Sequence, residues 1–107
     1  MLKTPAAVAF AAAMMLGAQA HADTHTTVQI ENFAFQQKVL TIARGTEVTW
    51  VNHDSEPHTI VSVTDPKAFT SPVLDTGESF SFVFKDTGTY AYYCSVHPHM
   101  QGTIVVN

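Results

Sequence analysis

The chain of 107 residues contains one cysteine, Cys94, so no internal disulfide can staple it. Basic residues are scarce as well, with 5 Lys and Arg against 9 Asp and Glu. No basic patch is available to follow a phosphate backbone, which excludes nucleic acid as a partner. The one long apolar run, Val8 to Ala18, falls short of the roughly twenty residues that span a bilayer. Helical periodicity is missing from the remainder, which excludes a bundle.

The N-terminus instead has the pattern of a secretory signal. Lys3 supplies a positive start, the apolar run follows, and small residues flank two candidate cleavage points, after Ala20 and after Ala22. Cleavage after Ala22 is the reading adopted, making residues 1–22 a signal peptide and residues 23–107 one domain, exported to the periplasm with no membrane span. The domain then has four basic residues against nine acidic ones, a net charge of −5, and Met100 is its only methionine. A domain this small gains little from its core alone and commonly leans on disulfides or metals. With a single thiol in an oxidising compartment, ligation is the better explanation of Cys94.

From Thr26 onward the pattern is that of strands. Val28 and Ile30 alternate with polar residues, and Phe33 and Phe35 extend that spacing as a kinked continuation. Val39 to Ile42 and Glu47 to Asn52 form the next two, separated by the turn Arg44-Gly45-Thr46. His53 to Pro57 is a polar loop, and His58 to Val63 resumes a strand. Thr64 to Thr76, with Pro66 and Pro72, is an irregular crossing. Phe80, Phe82 and Phe84 mark one face of a strand, Tyr90, Tyr92 and Cys94 that of another, and Thr103 to Val106 closes the chain. Seven or eight short strands without a helix predict an all-β fold, an antiparallel β-sandwich.

One seven-residue stretch concentrates the chemistry. Cys94-Ser95-Val96-His97-Pro98-His99-Met100 reads C-x2-H-x2-M, placing a thiolate, an imidazole and a thioether within one loop. Copper that cycles between Cu(I) and Cu(II) suits this mixture of strong donors of intermediate softness with one weak axial sulfur. A further nitrogen donor must come from elsewhere, and His58 in Glu56-Pro57-His58-Thr59 is the leading candidate. Residues at strand ends can gather at one pole of a sandwich, where a rigid framework holds a ligand loop.

With T-W-V-N-H-D-S-E-P-H, D-T-G-T-Y-A-Y-Y-C and the ligand loop followed by Q-G-T-I-V-V, the chain resembles the cupredoxins, small blue-copper electron-transfer proteins. The resemblance runs from about Val28 to Asn107, and the short histidine-to-methionine spacing is the amicyanin type. It implies copper bound by His58, Cys94 and His97 with Met100 axial, a Greek-key sandwich, and single-electron transfer between exported redox proteins. An amine-dehydrogenase type donor and a c-type cytochrome acceptor, served by a monomer, are the partners it implies.

Departures from the family pattern set further expectations. The chain has almost nothing between Ala22 and Val28, where amicyanins carry an extra segment, so its docking surface should differ. Thr59 stands where asparagine is common, so the brace between the ligand segments should be weaker or rearranged. Val96 stands where proline is common, and its N–H is expected to reach the thiolate and favour Cu(I). His53, His25 and His99 read as solvated, and Asp54, Glu56, Asp65, Asp75 and Glu78 as surface charges. The alternative function is copper trafficking or tolerance. An enzyme would need an open coordination position or further histidine pairs, and zinc would favour four strong ligands.

Overall fold

The computed structural model describes residues 24–64 and 66–107, so the leader expected at residues 1–22 lies outside the described residues. Eight strands are present among the described residues: β1 His25–Glu31, β2 Ala34–Phe35, β3 Val39–Ile42, β4 Glu47–Asn52, β5 Val61–Ser62, β6 Ser79–Val83, β7 Gly88–Tyr93 and β8 Gln101–Val106. They form two four-stranded sheets, ordered β2-β1-β4-β6 and β3-β8-β7-β5. The expected two-sheet all-β sandwich is therefore observed.

The sheets are mixed where a wholly antiparallel arrangement was expected. β1 runs parallel to β4, and β3 parallel to β8. Between β1 and β4 the chain reverses twice, at Asn32–Phe33 and at Arg44–Gly45, and visits the other sheet as β3. It therefore returns in the direction in which it left. Gly45 takes φ +93 in the second reversal, a region that side chains resist.

Two further expectations need correction. Phe33 does not continue β1. Asn32 and Phe33 both adopt positive φ (53 and 57), and the reversal pairs Ile30 with Phe35 and Glu31 with Ala34. The two-residue spacing is thereby broken, leaving Phe35 buried and Phe33 50% exposed. The strand expected from His58 to Val63 is reduced to Val61–Ser62, because its other neighbour is the proline-interrupted 70–74 segment. That segment meets it at the isolated bridges His58–Leu74 and Val61–Thr70 and, between them, through bonds of Ile60 with the Ser71 backbone and hydroxyl, not as a continuous ladder.

Alternation in β4 explains the core. Val48, Trp50 and Asn52 point inward and are fully buried, with Val28 and Ile30 of β1 beside them. Burying an aliphatic or aromatic side chain contributes about 1.5–3 kcal/mol, so such positions dominate the stabilisation. Trp50 lies among Phe69, Phe80, Phe84 and Tyr92, with ring centroids 5.4–6.4 Å away. This aromatic centre joins the sheets and keeps their loop-bearing pole rigid. Among the described residues no helix is long and apolar enough to cross a membrane.

Within this core, Trp50 Nε1 and Tyr92 Oη are buried without hydrogen-bond partners. Burial pushes the Tyr92 phenol up to about 12, with Trp50 opposing the shift only in part. An exposed phenol ionises near pH 10, so the unfolded chain loses this proton first as pH rises. Stability from Tyr92 is intact below pH about 10 and is lost toward 12, by about 1 kcal/mol at pH 11. In urea titrations, Tyr92→Phe should match or exceed wild-type stability at pH 7, since it removes an unpaired hydroxyl. It should also lack this part of the alkaline loss.

Candidate metal centre

Three segments meet at one pole: the turn after β1, the stretch after β4, and the loop joining β7 to β8. The second begins at Asn52, the fully buried last residue of β4. Asn52 Oδ1 accepts the Asp54 N–H at 2.9 Å, an Asx turn, while Nδ2 donates to the Glu56 and Leu74 carbonyls at 2.9 Å each. Pro57 then keeps Glu56 out of helical geometry. The chain enters an extended contact in which His58 and Leu74 exchange backbone hydrogen bonds of 3.1 and 2.8 Å. His58 is thus held on both sides and is fully buried.

The third segment folds onto itself. Cys94 N–H donates to the Met100 carbonyl at 3.0 Å, and Met100 N–H to the His97 carbonyl at 2.9 Å. Cys94 and Met100 are buried, His97 is half-buried, and Pro98 and His99 are exposed. Of the two histidines beside Cys94, His97 is therefore the one that reaches the surface.

The donor atoms of His58, Cys94 and His97 all lie within 4.8 Å of one another. Cys94 Sγ is 3.7 Å from His58 Nδ1 and 3.9 Å from His97 Nδ1. A metal bonded to nitrogen at about 2.0–2.1 Å and to sulfur at about 2.3 Å separates such donors by roughly 3.6–3.8 Å at tetrahedral to trigonal angles. The arrangement fits a small ion between them, and one thiolate with two imidazoles is a copper donor set.

The far side of His58 is equally ordered. Its Nε2 lies 2.8 Å from Asp54 Oδ2. The Asp54 carboxylate also accepts the Asn32 N–H at 2.7 Å and the Phe33 N–H at 2.8 Å. Burial alone would raise the Asp54 carboxyl; the bonds from Phe33, His58 and Asn32 outweigh it and hold the group below its ordinary value. Since a carboxylate can only accept, His58 Nε2 carries a proton, and in the neutral ring Nδ1, which faces Cys94, is then the lone-pair nitrogen. Asp54 is therefore no free surface charge, contrary to expectation.

Comparison with known proteins agrees with this chemistry. Residues 22–107 match the model of the copper binding proteins of the plastocyanin/azurin family. The chain belongs to this family. It is similar to amicyanin-alpha of Methylorubrum extorquens, with 34% identity across 94% of this chain and 87% of that one. Amicyanin of Paracoccus denitrificans is 32% identical, covering 79% and 67% of the two chains. Plastocyanin of Scenedesmus fuscus is 39% identical, covering 67% and 85%. A solved structure of a reduced amicyanin variant superposes with a TM-score of 0.74 at 30% identity, over 81% of this chain and 86% of that chain. The chain is a cupredoxin, its cofactor is copper, and it is an electron-transfer protein, not an enzyme.

In this cupredoxin the brace at Thr59 is rearranged. Its backbone N–H donates to Cys94 Sγ at 3.4 Å, and its hydroxyl oxygen accepts the Ser95 N–H at 2.8 Å. A further 2.8 Å bond joins the Thr59 and Ser95 hydroxyls. A threonine too short to reach far is met halfway by a serine next to the cysteine. The backbone donor to sulfur is Thr59 and not Val96, whose expected N–H contact is not observed. His25 bonds Thr49 Oγ1 at 2.9 Å and His53 bonds Gln29; both are exposed, as is His99.

Phe33, Asn52 and Asp54 were not anticipated at the site. Asn52-x-Asp54 is an Asx-turn signal and could have been read. Nothing local marks Phe33, whose ring meets His58 and His97 edge-on at centroid distances of 5.5 and 5.0 Å.

Thr59→Val keeps the shape but leaves the Ser95 N–H without its acceptor at a part-buried contact. The copper-free protein should lose about 0.5–1.5 kcal/mol in urea unfolding, and Thr59→Ser should recover most of it.

Proposed function

We propose that His58, Cys94 and His97 ligate one type 1 copper ion, with Met100 as the axial donor. The mature protein, residues 23–107 after removal of a signal peptide at 1–22, carries single electrons in the periplasm as a monomer. Copper bound there supplies one-electron chemistry, alternating between Cu(I) and Cu(II). The supporting observation is the pair of Nδ1 atoms facing a buried thiol, with one of the two imidazoles reaching the surface.

Each residue then has a defined task. Cys94 and His58 lie inside, shielded from water, and the Thr59 N–H partly neutralises the thiolate. Withdrawing charge from sulfur favours the reduced state. His97, half-buried in the exposed loop, is the ligand nearest a docked partner. The relatives' names support a redox partnership; the amine-dehydrogenase type donor and the c-type cytochrome acceptor are the classes of partner we propose.

The test is to load purified residues 23–107 with Cu(II), record visible and EPR spectra, and cycle the protein with a one-electron reductant. An intense thiolate-to-copper band, narrow copper hyperfine splitting and retention of copper through repeated cycles are expected. Cys94→Ser should abolish the band. A pale spectrum, or copper surrendered to a chelator on each reduction, would contradict the carrier reading and favour copper handling.

A further inference from the structure

A phenylalanine in left-handed backbone geometry is costly, and at a position where glycine would be unstrained it calls for a use. Phe33 has φ 57 and is 50% exposed, so core packing does not hold it there. Its ring contacts at the pole are two T-shaped ones, with His58 and His97. Its backbone N–H, and that of Asn32, end on the carboxylate that also takes the His58 Nε2 proton. Three N–H groups from two segments converge on Asp54, itself braced by the Asn52 turn.

Resting on the ligand assignment above, we propose that Asp54 is the positioning residue of the copper centre and Phe33 its cover. One carboxylate fixes the His58 tautomer and, through the Asn32 and Phe33 amides, holds the Phe33 ring against both ligand imidazoles. The cover keeps water and competing ligands from the metal-facing nitrogens, and it couples the β1–β2 turn to copper retention. Loss of the carboxylate releases both effects together, whereas loss of the ring releases only the second.

Two measurements separate these roles. The first follows copper transfer from the Cu(I) protein to a Cu(I)-specific chelator. Asp54→Ala and Phe33→Gly should each speed release by about tenfold or more, the range usual for groups that orient a metal ligand. The second is nitrogen-15 NMR of the His58 ring in copper-free protein. Wild type and Phe33→Gly should both carry the proton on Nε2, and Asp54→Ala should give a mixture of tautomers.

Should Asp54→Ala not fold, Asp54→Asn serves. Its single acceptor oxygen leaves either the Asn32 N–H, or both the Phe33 N–H and His58, facing an amide NH2, so amide exchange at that turn should accelerate. An unchanged release rate in Phe33→Gly would overturn the cover. An unchanged His58 tautomer in Asp54→Ala, or unchanged amide exchange in Asp54→Asn, would overturn the positioning role. Absence of copper binding by wild type would instead refute the ligand assignment, while the copper-free measurements would still judge Asp54.

Discussion

The tie between Thr59 and Cys94 joins two segments that lie 35 residues apart, and the metal centre depends on it. One segment leaves β4 and carries His58; the other links β7 to β8 and carries Cys94 and His97. A backbone N–H on sulfur and a hydroxyl on the Ser95 N–H lock their register. With that register fixed, the two imidazole nitrogens face one buried thiol. Inside a low-dielectric pole such bonds are strong, and unmaking them leaves buried polar groups without partners.

The framework supplies the rigidity. β7 and β8 deliver the two ends of the ligand loop from adjacent antiparallel strands, with Tyr93 opposite Gln101. β4 delivers the other segment from the opposite sheet, and Trp50 with its aromatic neighbours keeps the sheets together. A site held this way need not reorganise when its charge changes by one. That property suits an electron carrier better than a protein that must release its metal.

Much of this was legible in the chain. Two-residue alternation marks Glu47 to Asn52 and the Tyr90-Tyr92-Cys94 face, and C-x2-H-x2-M gathers the loop donors in the sequence itself. Local pattern could not show contacts made between distant segments. The Phe33 reversal depends on an acceptor 21 residues away, at Asp54. Asp54 reads as a solvated charge because two of its three N–H partners, Asn32 and Phe33, come from a distant segment, and only His58 is local. Thr59 looked too short because its reach was judged without Ser95. Parallel pairing of β1 with β4 was hidden for the same reason: it follows from a detour through the other sheet and leaves no mark on either strand.

The central claim is that the protein builds the donor set and copper enters it. Crystal structures of the copper-free, Cu(I) and Cu(II) forms test this most directly. Cys94 Sγ is expected to keep its separations of 3.7 and 3.9 Å from the two Nδ1 atoms in all three forms, to within coordinate error. A copper-free structure with His97 turned away, or with Thr59 detached from Cys94, would show that the metal assembles the site.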